Sequence, residues 1–110
     1  MAEKKTEETK RIELQNILED ILGTSNVYFQ PGPSLSLKYP CIIYNRSSVR
    51  TMPADDRIWN CRQQYSVTVI DYDPDSQIPF DLLEEFQKLI RIESNYRSNG
   101  LNHTKLQLYY

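Results

Sequence analysis

Apolar residues recur along this chain with two periods, and the periods mark its elements. Between Glu7 and Leu22, Leu14, Ile17, Leu18, Ile21 and Leu22 recur at spacings of three and four. That spacing puts one apolar stripe on a helix. Thr6 is suited to cap the helix start, and Gly23 to close its end in a left-handed conformation. A second stripe, Leu82, Leu83, Phe86, Leu89 and Ile90, predicts a helix from about Pro79 to Ile90. Pro79 is tolerated in the first turn because an N–H there has no helical partner. Elsewhere the period drops to two. Tyr65, Val67 and Val69 alternate with Ser66, Thr68 and Ile70, which predicts a strand from Arg57 to Asp71. Shorter strands are predicted over Val27 to Gln30, Tyr39 to Tyr44, Ile92 to Tyr96 and Thr104 to Tyr110. Pro31-Gly32-Pro33-Ser34 breaks the first, Pro40 is confined to the start of the second, and Asn99-Gly100 suits a tight turn between the last two.

The predicted order is α-β-β-β-α-β-β. The fold class that follows is α+β: one antiparallel-rich mixed sheet of about five strands with both helices on one face. A chain of 110 residues fits a single domain, 1–110, in which residues 1–6 are expected to be flexible. The polar stretch from Asn45 to Asp56 is predicted as a long exposed hairpin loop. Irregular loops of that length are unusual in small domains and tend to be functional.

Composition narrows the function classes. Hydrophobic residues make up 39% of the chain, and the mean hydropathy is -0.62. So sparse a core leaves room for stabilisation by neighbouring subunits. Tyr supplies eight of the aromatic residues; its apolar ring and polar tip suit surfaces exposed in one state and covered in another. The 13 basic and 15 acidic residues give a net charge of -2, which argues against a dedicated nucleic-acid binder. No apolar run approaches the roughly 18 residues of a membrane span, and the N-terminus lacks the apolar core of a secretory signal. Cys41 and Cys61 lie in strand-like runs without CxxC spacing; they read as reduced thiols, with a cross-strand disulfide left open.

Candidate chemistry is sparse. The single histidine, His103, falls in a predicted turn, Gly100-Leu101-Asn102-His103, and reads as a hydrogen-bonding turn residue. Asp71, Asp73 and Asp75 alternate as oxygen ligands do, but the Gly and distal Glu of a calcium loop are missing, and turn formation explains the segment more simply. Three glycines cannot build a glycine-rich phosphate loop. No catalytic, metal or cofactor site is expected. Arg46, Arg50, Arg57 and Arg62, with Asp55 and Asp56, form a mixed-sign set. It reads either as a solvated hairpin or as an intersubunit contact in which opposite charges set register.

Three segments together resemble a known family. They are Leu37-Lys38-Tyr39-Pro40-Cys41-Ile42-Ile43-Tyr44, the run from Tyr65 through Asp71-Tyr72-Asp73-Pro74-Asp75-Ser76, and Leu101-Asn102-His103 with Leu108-Tyr109-Tyr110. This pattern is similar to the tail terminator (tail completion, or tail-to-head joining) proteins of long-tailed bacteriophages. The resemblance spans roughly residues 27 to 110, and the middle segment is its most specific part. The chain departs from the family at Asn99-Gly100, where the turn is usually more acidic, and at Ala54-Asp55-Asp56, where Ala-Asp-Asn is usual.

The resemblance implies a virion structural protein made in the bacterial cytoplasm and placed at the head-proximal end of the tail. It implies a homo-hexameric ring that caps the tail tube, ends its polymerisation and meets the head-tail connector or neck. The implied partners are other copies of the chain, the major tail tube protein and the neck protein, with DNA only passing through the channel and no membrane. A head-to-tail ring contact joins two unlike faces of each subunit. Candidate interface residues are Arg46, Arg50, Asp55, Asp56, Arg57, Asn102, His103, Tyr109 and Tyr110. The nearest alternative is a head-completion or neck connector protein. A small regulatory binding module and an enzyme are the alternatives from other classes.

Overall fold

A computed structural model of the chain describes residues 7–51 and 62–110, with side chains for 8–47 and 63–110. The predicted capping of the first helix by Thr6, the flexibility expected of 1–6, the predicted strand residues 57–61 and the thiol of Cys61 lie outside the described residues.

The first helix, α1, spans Glu7–Leu22. Leu14, Leu18 and Leu22 are buried along it, while Ile17 and Ile21 pack half-buried beside them. Gly23 ends it at φ +85, its N–H donating to the Glu19 carbonyl (2.8 Å). Glycine reaches that φ without a Cβ clash. Strand β1, Val27–Phe29, then runs parallel to β2, Cys41–Thr51. Parallel neighbours need a long connection. Here it is the 30–40 segment, and it runs along the face away from the helices, where the Lys38 N–H donates to Tyr28 Oη (3.4 Å).

Strand β2 pairs antiparallel with β3, Arg62–Asp71. After the 72–77 turn comes α2, Ile78–Phe86, and then a single 3₁₀ turn, Gln87–Leu89. Strands β4, Ile90–Ser98, and β5, Leu101–Tyr109, form a hairpin, and β5 inserts between β4 and β3. The five-stranded sheet therefore has the order β1-β2-β3-β5-β4. The chain is an α+β domain with a mixed, mainly antiparallel sheet, in the predicted element order.

Register explains the layering. Ile42 pairs with Val69, Tyr44 with Val67, Val67 with Leu106, Tyr65 with Leu108, and Ile90 with Leu108. Side chains alternate across a sheet, so these residues share one face. They form a single buried cluster with Leu14, Leu18, Leu22, Leu82 and Phe86 from the helices. Each fully buried aliphatic side chain stabilises by roughly 1.5–3 kcal/mol. Gln15 ties α1 to the sheet: its Nε2 donates to the Val27 carbonyl (2.9 Å), and its Oε1 accepts from Tyr44 Oη.

Three expectations change. The 45–51 stretch is strand rather than loop. The ladder shifts register between Arg46 and Arg50, and Gln63 Nε2 bridges the irregularity by donating to the Ser47 carbonyl (2.8 Å). Cross-strand bonding outweighs the low strand propensity of Asn, Arg and Ser here. The second helix stops at Phe86, and Ile90 already belongs to β4. The break falls at Gln87, φ +47. His103 lies within β5 and not in a turn, as does Asn102. Asn99 (φ +53) and Gly100 (φ +76) make a two-residue turn by themselves, so pairing resumes with Ser98 opposite Leu101.

Candidate interaction surface

The candidate residues divide between two ends of the sheet. Arg46, Arg50, Tyr109 and Tyr110 lie at the end where the β2–β3 hairpin extends past its neighbours. Among the described residues, only β3 pairs with β2 at Arg50 and Thr51, opposite Gln63 and Arg62. Tyr109 pairs with Gln64, and the Tyr110 N–H donates to the Gln63 carbonyl (3.0 Å). Asn102 and His103 lie at the opposite end, paired with Asp71 and Ile70. Asp55, Asp56 and Arg57 lie outside the described residues.

At the hairpin end, two candidates are engaged within the molecule. The Arg46 guanidinium sits 5.3 Å from the centre of the Phe29 ring, and Arg11 from α1 sits 4.6 Å from the same ring. Two cations facing one ring are favourable contacts that also order the hairpin base. The Tyr110 ring meets Phe86 edge-on at 6.2 Å. Burial raises the Tyr44 hydroxyl pKa, and the neighbouring Arg11 partly opposes the shift.

At the opposite end the aspartates build a turn. Asp71 Oδ1 accepts from the Asp73 N–H (3.1 Å), and Asp73 Oδ1 accepts from the Asp75 N–H (2.9 Å). The Asn102 amide donates to the carbonyls of Asp71 (3.3 Å) and Tyr72 (3.1 Å), fixing the turn to β5. The carboxylates serve as local turn acceptors. Among the described residues, no group of three metal-ligating side chains is assembled.

This end also carries an aromatic surface. Tyr96 stacks on His103, rings 4.7 Å apart and 15° from parallel, while His103 Nδ1 lies 3.2 Å from the Leu101 carbonyl. Tyr39 meets Tyr72 edge-on at 5.9 Å. Tyr72 is 66% exposed and Tyr96 51%. Beneath this side of the sheet, Cys41 and Ile70 pair and are buried, and burial pushes the Cys41 thiol up to about 11. A thiol so disfavoured as thiolate is a poor nucleophile.

Of this surface, the sequence reading singled out only His103. Tyr39, Tyr72 and Tyr96 were missed because they come from three distant segments. The available signal was the excess of Tyr, which has no address until register is known. No helix among the described residues is long and apolar enough to cross a membrane. Neither the protein-family models nor the curated proteins compared with this sequence match it.

Proposed function

We propose that this chain is a virion structural protein, a tail terminator that forms a hexameric ring, caps the tail tube and joins it to the neck of the head. The observation that carries the reading is the position of the three resembling segments. Separated along the chain, they fall on the adjacent strands β2, β3 and β5. The Asp71–Ser76 and Leu101–His103 parts bond directly to one another through Asn102. The three segments thus lie side by side in one structural unit of this chain, which supports reading them together.

Two further observations support the reading. The candidate residues among those described lie at two different ends of one sheet, Arg46, Arg50, Tyr109 and Tyr110 at one and Asn102 and His103 at the other, which suits a head-to-tail contact between identical subunits. The acids that a catalytic or metal reading would use serve the turn, and His103 is held in a ring stack.

The test is electron microscopy of a lysate from a phage lacking this gene. Filled heads separated from tails of uncontrolled length are the expected result. Normal-length tails beside leaky, empty heads would assign the protein to the neck instead. Intact infectious particles would sink both structural readings.

A further inference from the structure

The domain has two layers, and their outer surfaces differ in charge. Both helices pack on the sheet face that carries Val67, Leu106 and Leu108. Alternation turns the residues between these to the other face. Three rungs cross β3, β5 and β4 there: Ser66–Gln107–Arg91, Thr68–Lys105–Ser94 and Ile70–His103–Tyr96. Arg91 Nε donates to Gln107 Oε1 (3.0 Å), and Tyr96 is stacked on His103, so both side chains are ordered before a partner arrives. Lys105 meets Glu93 at 4.0 Å between exposed side chains, a contact worth little in water. Lys38, also exposed, sits in the 30–40 segment along the same face. Lys38, Arg91 and Lys105 against Glu93 give this side a charge of +2.

The helix layer has the opposite sign. From residue 8 onward, the helices and the 3₁₀ turn carry seven acids and three bases, a charge of -4. A groove of about 600 Å³ between α1 and α2 is lined by Asp20, Asp81, Glu84 and Glu85. Neither helix has a base in its last turn, so Asp20 and Glu85 lie at the negative ends of helix dipoles. A cationic surface laid on this layer relieves both repulsions.

Exposed apolar side chains follow the same division. Among the described residues, Ile12 and Phe80 protrude from the helices, and Leu35, Tyr72 and Tyr96 from the opposite side. Phe80 rims a cavity of about 240 Å³ that is walled by Asp71 and Asp73 and floored by Ile92, Asn95 and Thr104. Scattered singly, such residues need no explanation. Here each set shares a surface with one sign of charge.

We propose that the sheet face away from the helices packs against the helix layer of a second copy of this chain. Opposite surfaces of one domain cannot meet within a molecule, so the contact is heterologous and repeats head to tail. Like surfaces would set like charges together, which disfavours a two-fold dimer. In the assembly each sheet is covered on both faces, by its own helices and by its neighbour's. The proposal rests on the ring reading and names the surfaces that meet in the ring.

The test is sedimentation of the full chain across a concentration series. The double variants Arg91→Glu/Lys105→Glu and Glu84→Lys/Glu85→Lys alter exposed residues and should leave the circular dichroism spectrum unchanged. Each should weaken association by about tenfold or more. An equimolar mixture should restore it, because in an alternating array every junction pairs two native surfaces or two reversed ones. Tyr96→Ser changes no charge and should weaken association by about fivefold, which general charge attraction does not explain. Species larger than dimers, weakened by all three variants and restored in the mixture, establish the contact. Unchanged association in any of the three, a mixture of folded variants that does not recover, wild-type species no larger than dimers, or a wild-type chain that stays monomeric at millimolar concentration each overturns it. The gene-deletion phenotype judges the terminator reading separately.

Discussion

Replacing Asn102 tests how the sheet holds the aspartate turn that walls the cavity. Its amide donates two hydrogen bonds, to the carbonyls of Asp71 and Tyr72. Both are neutral, one is half-buried and the other exposed, so each contributes toward the low end of the usual range, ~0.5 kcal/mol. Asn102→Ala should therefore cost about 1 kcal/mol. For a domain of this size that lowers Tm by about 4 °C. Asn102→Asp removes the same donors and sets a carboxylate against two carbonyl oxygens beside Asp71, adding about 1–2 kcal/mol. The added cost belongs to the charged form. The new carboxyl's folded pKa is thus raised above its unfolded value, near 4. The penalty is present in full at neutral pH and is lost as pH falls through the raised folded pKa. Thermal melts of wild type and both variants at pH 7 and pH 4.5 are the assay. The aspartate variant should melt below the alanine variant at pH 7 and approach it at pH 4.5. Equal melting temperatures for the two variants at pH 7 would refute the assigned donor role of the amide.

Two further predictions concern the core. Leu106→Ala, at a fully buried position in a central strand, should destabilise by ~3 kcal/mol in urea unfolding, whereas Lys105→Ala on the exposed side should change stability by less than ~0.5 kcal/mol. Cys41 keeps its proton up to about 11 when folded, against 9.0 otherwise. The unfolded thiol ionises first as pH rises, so the wild type should lose stability between those values relative to Cys41→Ala, and the Tm gap between them should narrow from pH 8 to pH 10.5.

Legibility in the sequence followed the range of the interaction. The extent of α1 was readable because its stripe and Gly23 are local signals, and so was the Asn99-Gly100 turn, where two adjacent residues supply both positive φ values. The 45–51 strand was not readable. It opens on the polar run Asn45-Arg46-Ser47-Ser48, which has no apolar alternation, and it is held by pairing with β3 and by a Gln63 amide sixteen residues away. His103 read as a turn residue because the turn's true length depends on where pairing with β4 resumes. The aspartate segment is legible as a turn, since its acceptors lie two residues from their donors. The cavity beside it was invisible, because it is built by three strands and the start of α2.

The central claim is one of place and is tested most directly by location. Particles carrying an N-terminally tagged copy of this chain, labelled with gold and imaged by electron microscopy, should show label only at the junction of head and tail. Label spread along the tail, confined to the distal tip, or missing from purified particles would contradict the account.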